Sequence, residues 1–257
     1  MRLSLLQLVC ELGYPEDQAR ALILAGRVLV NDTRETRVGH KFPSDVNIRI
    51  QAIASDPGRG ADKMRQALEQ FRAHGHDIEN QIRNSICLDV GASHGGFTRV
   101  LLDNGAVRVY ALDVAYGILD YRLRQDRRVI PLERVNIRTI TPELFAPEDL
   151  RSPGRFFVTV DVAFMSLLTV VDALLQLMRT TALSDRVRGV LLLKPQFENS
   201  QATQDGVIRD ARIRASIRDE CLARLHERQV HVFDCIDSPL SGARGNREFF
   251  LYVELRV

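Results

Sequence analysis

Only Lys41, Lys63 and Lys194 are lysines among the 35 basic residues of this chain; the others are arginine. A lysine can give up its proton when crowded or desolvated and arginine cannot, so each lysine here is a candidate for acid–base work. Codon usage alone would give the same skew, so position must decide. Lys194 ends the aliphatic run Val190-Leu191-Leu192-Leu193, where a structural residue would be apolar. Lys63 starts an amphipathic pattern (Met64, Ala67, Leu68, Phe71), where an ordinary helix-end lysine is the bland reading. A second stretch, Ile86 to Thr98, runs from a short apolar segment into breaks at Gly91 and Gly95-Gly96, then a helical pattern from Phe97. Strand, glycine turn and helix together point backbone N–H groups at a nucleotide-like ligand, although a plain tight turn reads the same way. Asp89 lies beside that loop, and Asp113 closes the next strand, where a carboxylate accepts from ribose hydroxyls. The loop Gly91-Ala92-Ser93-His94-Gly95-Gly96 is not GxGxxG, and no P-loop lysine follows. That argues against NAD or ATP and for S-adenosylmethionine, which carries ribose hydroxyls and an α-amino group but no phosphate.

The elements that must position these residues follow from periodicity. Strands are expected at 86–90, 107–112, 128–132, 155–161, 188–193, 230–236 and 247–255, with helices notably at 97–104, 167–179 and 210–228. This alternation predicts an α/β fold, a mostly parallel sheet covered on both faces. The last two strands have no helix-length gap between them and can pair antiparallel. At 257 residues the chain has room for one large domain or two unequal ones. Breakers at Ser55-Asp56-Pro57-Gly58-Arg59-Gly60 mark residues 51–60 as a linker between 1–50 and 61–257. Cys10, Cys87, Cys221 and Cys235 form no CxxC pair, as in a cytoplasmic protein with reduced thiols. Gln7 and Glu11 break the first apolar run, so no signal peptide is expected. No run reaches the roughly 18–20 apolar residues of a membrane span. His94 has no second His or Cys at ligand spacing, and no metal is expected.

In residues 1–50, Leu5, Leu8, Val9 and Leu12 keep helical spacing up to Gly13-Tyr14-Pro15. A second helix through Ala19, Leu22 and Ile23 ends at Ala25-Gly26, before a strand Val28–Val30 and a turn at Asn31-Asp32. Arg20, Arg27, Arg34, Arg37 and Lys41 outnumber Asp32 and Glu35 there, a patch that a solvated charged face would also show. The stretch from Ala21 to Asn31, with Ala-Gly-Arg-Val-Leu-Val-Asn, resembles the S4 RNA-binding domain. The resemblance implies a small α+β unit docking on RNA through Arg20, Arg27 and Arg34, although Pro15-Glu16 stands where many S4 domains carry Ser-Arg.

The segment Leu88-Asp89-Val90-Gly91-Ala92-Ser93-His94-Gly95-Gly96-Phe97-Thr98 resembles motif I of the TlyA-type (hemolysin A) methyltransferases, which join an S4 domain to an FtsJ-like domain. Further similarities are Arg122–Asp126, Leu132–Arg138, Lys194-Pro195-Gln196-Phe197-Glu198, Gly206–Asp210 and Gly245–Phe250. The resemblance implies a Rossmann-like class I methyltransferase fold with a seven-stranded sheet. It also implies S-adenosylmethionine held by Asp89, Gly91, Ser93, Gly95, Gly96, Phe97, Asp113, Glu133 and Asn136, and 2′-O-methylation of ribosomal RNA. The family's Lys-Asp-Lys-Glu tetrad falls on Lys63, in Arg59-Gly60-Ala61-Asp62-Lys63, and on Asp161, Lys194 and Glu248. Lys194, crowded by the second lysine, would take the hydroxyl proton, with Asp161 and Glu248 orienting the lysines. His94, Ala61, Ala115 and Ala163-Phe164-Met165-Ser166 depart from the family pattern without removing a tetrad member. The implied substrate is a cytidine, and the implied partner is ribosomal RNA or a ribosomal subunit. The start almost at the S4 helix and the end in the last strand imply the shorter form, acting on the large subunit. An RNA-binding protein with an inactive methyltransferase domain is the competing class, and a hemolysin a third. Oligomeric state is not legible.

Overall fold

The computed structural model describes residues 2–12, 16–24, 26, 28–50, 58–151, 156–163, 165–181, 185–242 and 245–257. Arg27 and residues 51–57 of the expected linker lie outside these described residues. The N-terminal unit packs helices Leu5–Glu11 and Glu16–Leu24 beside short antiparallel strands. Ser4 and Gln7 form a reciprocal capping box that starts the first helix. Asn31 and Asp32, at φ 49° and 63°, make the tight turn that lets Val28–Val30 pair with Thr33–Arg34. Leu5, Val9, Ala19, Leu22, Ile23, Val28 and Val30 form its own buried core, so the expected α+β unit is present.

Seven strands make the central sheet: β1 (Ile86–Val90), β2 (Arg108–Asp113), β3 (Val129–Glu133), β4 (Phe156–Val160), β5 (Arg186–Leu193), β6 (His231–Asp237) and β7 (Phe249–Arg256). Their order across the sheet is β6-β7-β5-β4-β1-β2-β3. The β1–β5 pairings are parallel, whereas β7 runs antiparallel to both β5 and β6. This is the mostly parallel seven-stranded sheet that periodicity predicts, with each expected strand within two residues of its observed bounds.

Both faces of the sheet are covered. Alternate residues of each inner strand, such as Cys87 and Leu88, enter opposite cores, which is why these strands read as unbroken apolar runs. Helices α1 (Arg59–Ala73) and α2 (Gly96–Asp103) bury Met64, Leu68, Phe71, Val100 and Leu101 on one face. Helices α3 (Leu167–Thr180) and α4 (Ala211–Glu227) bury Leu174, Leu177, Cys221 and Leu225 on the other. Helix α1 begins at Arg59, so Arg59 and Gly60 belong to it and not to the linker. Strand order reverses between β1 and β4, which places the ends of those two strands at the crevice where open α/β sheets bind ligands.

Candidate active site

Lys63 sits buried one turn into α1. A cation there has left water, so it needs a counter-charge. Glu248 supplies it from the turn before β7: Lys63 Nζ donates to Glu248 Oε2 at 2.6 Å. The other carboxylate oxygen accepts from Gln196 Nε2 at 3.2 Å, and Gly242 packs so closely that a Cβ there would collide with it. Lys194 follows β5 and Asp161 follows β4, neighbouring parallel strands, and Lys194 Nζ lies 2.6 Å from Asp161 Oδ1. This second pair is more open to solvent than the first, and the Lys194 ammonium also lies 5.8 Å from the centre of the Phe197 ring.

The four tetrad residues therefore form two ion pairs, each lysine with its own carboxylate. Gln196 joins the pairs, because it stands two residues beyond Lys194 and holds Glu248. Its Oε1 is buried without a partner, the kind of orphan acceptor that awaits a ligand's donor. Glu198 acts further out. It accepts from Ser166 Oγ and from the Leu167 amide, both at 2.6 Å, and so ties the segment after β5 to the N-terminus of α3. Burial pushes its carboxyl up, and those hydrogen bonds oppose the shift. Sequence reasoning assigned no role to Gln196 or Glu198. Ser166 directly before the apolar run of α3 was the available signal, as an N-cap.

The glycine loop lies against this centre. Gly91, at φ 84°, packs on the Asp161 carbonyl, and a Cβ there would collide with it. Gly96 abuts the start of α1, where a Cβ would lie 2.8 Å from the Ala61 nitrogen. Gly95 is the left-handed N-cap of α2, at φ 90°. Ser93 donates its amide to Asp113 Oδ2 at 2.8 Å, while Ala115 donates to Oδ1 at 2.8 Å. Asp113 thus braces the loop and its own turn while remaining partly exposed.

The other residues expected at the cofactor make the following contacts within the chain. Asp89 is fully buried and accepts from Thr98 Oγ1 at 2.6 Å and Thr159 Oγ1 at 2.8 Å. Burial pushes its carboxyl up to about 6; the hydroxyl bonds pull it down and the Asp161 charge adds to the rise. Within the chain it clamps β1 to α2 and β4. Phe97 is buried and stacked on Phe250 at 6.0 Å, a core contact. Glu133 accepts from the Gly117 amide at 2.9 Å and pairs with Arg124. Asn136 caps the turn Ile137–Thr139 through Arg138 N at 3.0 Å. These last two residues shape the loops around Asp113, since Val135 N bonds the Asp113 carbonyl at 3.1 Å.

Of the expected RNA contacts, Arg20 pairs with Glu16 at 3.2 Å on the surface, and the Arg34 guanidinium lies over Gly26. Nearby, Arg37 holds the Glu35 carboxyl far below its ordinary range, so part of the expected basic patch is neutralised within itself. Among the described residues no group of His, Cys, Asp and Glu is arranged to hold a metal, and no helix is long and apolar enough to cross a membrane.

The family model of FtsJ-like methyltransferases matches residues 57–255. The chain is 34% identical over 244 residues to Hemolysin A of Brachyspira hyodysenteriae, covering 93% of this chain and 95% of that protein. It is 36% identical over 251 residues to the 16S/23S rRNA (cytidine-2′-O)-methyltransferase TlyA of Mycobacterium tuberculosis, covering 96% of this chain and 87% of the relative. A solved chain from Streptococcus thermophilus that carries a hemolysin name is 30% identical, with a TM-score of 0.68 over 99% of this chain and 89% of its own.

Proposed function

The chain belongs to the FtsJ-like methyltransferase family, and from that premise we propose that it methylates a ribose 2′-hydroxyl of ribosomal RNA, a cytidine with the large subunit favoured. The observation that carries the reading is the pair of lysine–carboxylate contacts, Lys63–Glu248 and Lys194–Asp161, joined by Gln196 beside the glycine loop. S-adenosylmethionine is the proposed methyl donor and supplies, when bound, an electrophilic methyl group on a sulfonium. The residues fit it: the loop offers the uncapped N-terminus of α2 and the partly exposed Asp113 carboxylate, and no lysine that would suit a polyphosphate.

A ribose hydroxyl is a weak nucleophile until its proton moves toward a base. Lys194 is the base that receives that proton, and Asp161, 2.6 Å from its Nζ, balances the charge that forms. Lys63 and Glu248, buried and fixed, hold the ribose side of the cleft, and orientation supplies much of the remaining acceleration. The N-terminal unit, read as an S4 domain, docks the RNA through Arg20, Arg27 and Arg34.

Transfer of a labelled methyl group to ribosomal RNA, followed by mapping of 2′-O-methyl positions, tests this. Label is expected at one cytidine ribose and is lost by at least about a hundredfold in Lys194→Ala, the order expected for removing a general base. Label on a base, or an unchanged rate in Lys194→Ala, would refute the assignment.

A further inference from the structure

Several surface arginines of this chain are neutralised locally: Arg37 by Glu35, Arg99 by Asp103, Arg128 by Asp126 and Arg228 by Asp172. Arg59, Arg209, Arg214 and Arg247 have no carboxylate partner among the described residues. They come from three separate segments that converge on the turn leading into Glu248. Arg59, exposed at the start of α1, donates to the Ser241 carbonyl. Asn246 reaches the other way: its Nδ2 donates to Gly206 O at 2.9 Å and its Oδ1 accepts from Ile208 N at 3.4 Å. That tether holds the exposed Arg209 beside the turn. Arg247 is exposed between the buried Asn246 and Glu248. On α4, Arg218 lies 5.3 Å over the Phe249 ring, and Arg214 stands one turn earlier on the same face. Asp210, the nearest carboxylate in sequence, is occupied as the N-cap of α4 through the amides of Arg212 and Ile213.

Uncompensated guanidinium groups repel one another and are retained where an anion joins them; arginine meets phosphate bidentately. We propose that Arg59, Arg209, Arg214 and Arg247 form a phosphate-binding rim that takes the RNA backbone flanking the ribose at Lys63–Glu248. The rim rests on the reading of this chain as an RNA methyltransferase. It adds a second RNA contact surface, on the catalytic unit itself, beyond the N-terminal arginines. The rim contributes position and charge but reads no base, since phosphate contacts carry no sequence information.

The test is fluorescence anisotropy of a labelled single-stranded ribosomal RNA fragment carrying the target cytidine, titrated at several KCl concentrations. The full-length chain is compared with its triple variant Arg209→Ala/Arg214→Ala/Arg247→Ala. Each phosphate contact on single-stranded RNA contributes roughly 0.7 to the slope of log K against log salt, so the triple variant should lose about 2 from that slope. In turnover, the loss is expected in the KM for RNA more than in kcat. The matching lysine variant, Arg209→Lys/Arg214→Lys/Arg247→Lys, should keep most of the slope, because a point charge suffices for counterion release. Arg228→Ala, at the far end of α4, should leave the slope alone. Calorimetric S-adenosylmethionine binding reports whether each variant is folded. Should the triple variant fail that check, the single variants Arg209→Ala and Arg247→Ala, both at exposed positions, should each lose about 0.7. A folded alanine variant with the parental slope overturns the rim alone. An unaltered chain that binds S-adenosylmethionine but no RNA at any salt concentration overturns the RNA reading and the rim with it.

Discussion

At the scale of single residues, Asp89 and Gln196 do work that their neighbours in the motifs conceal. Asp89 has its carboxyl raised from 3.8 to about 6, chiefly by burial. Below about pH 4 both folded and unfolded chains hold that proton, so the folded state is not penalised. As pH rises toward 6 the unfolded chain releases it first, and stability on the order of 3 kcal/mol is lost over that window. Asp89→Asn has no proton to release, so its stability relative to the parent should climb between pH 4 and 6 and then level off. Urea midpoints of both proteins at pH 4, 5, 6 and 7 give the comparison, and a difference flat across that range rejects the raised carboxyl. Gln196 donates one hydrogen bond to a buried carboxylate, an interaction typically worth about 1.5–3 kcal/mol. Gln196→Ala should lower kcat by about ten- to a hundredfold while leaving S-adenosylmethionine affinity within about twofold. Gln196→Glu would set a second carboxylate against Glu248, and the pair must share a proton. Its pH–rate profile should therefore show an ionisation absent from the parent, which a merely space-filling residue would not produce.

At the scale of elements, the site is assembled by backbone approaches that only glycine permits. Gly91 lets the loop after β1 lie on the Asp161 carbonyl, and Gly96 lets the start of α2 touch the start of α1, which carries Lys63. Gly96→Ala would press a Cβ to 2.8 Å from the Ala61 backbone nitrogen, so α1 must move. A cost of about 1–3 kcal/mol in stability is expected, as for overpacked cores. The rate should fall by at least about tenfold as Lys63 shifts, the order for misplaced catalytic groups. Thermal unfolding and single-turnover methyl transfer together check this, and a parental rate in a destabilised protein would show that α1 position does not matter. The strands and main helices were legible because β1, β4 and β5 are apolar on both faces and α1 and α3 carry helical stripes. What periodicity could not show was which polar residues face inward at loop ends. Asp89 looks like a ligand carboxylate in the motif, yet Thr98 and Thr159, one of them seventy residues away, occupy it. Phe97 sits in the loop motif but points into the core because α2 starts one residue earlier. Gln196 and Glu198 were visible in the Lys194–Glu198 segment, but their partners Glu248 and Ser166 are brought there only by the sheet order.

At the scale of the whole molecule, the N-terminal unit has a core of its own, distinct from the two cores that flank the central sheet. Its helices and the strand and turn at Val28–Asp32 were legible from spacing, while the pairing of its charges was not: Arg20 meets Glu16 and Arg37 meets Glu35 in space. A surface change in this unit should therefore leave the catalytic unit intact, which makes the docking role testable in the full-length chain. Among the described residues Arg20 pairs with Glu16, one turn away on the surface, a contact worth no more than about 0.5 kcal/mol. Removing it costs little fold stability and exposes Glu16 to the RNA, adding repulsion to the lost attraction. Arg34 lies over Gly26, so its loss uncovers that turn without cutting into the buried core. Arg20→Ala/Arg34→Ala is expected to weaken RNA binding by about ten- to a hundredfold at 0.1 M salt, the order for two phosphate contacts. S-adenosylmethionine binding and the pH dependence of single-turnover transfer at saturating RNA should stay those of the parent, because Lys63, Asp161, Lys194 and Glu248 all lie in the other unit. Two linked RNA surfaces multiply each other's effect through local concentration, so RNA affinity should fall more steeply for this variant in full-length RNA than in a short fragment that reaches only one of them. Equal losses on long and short RNA would mean that the N-terminal unit does not contact the same molecule that the catalytic centre holds.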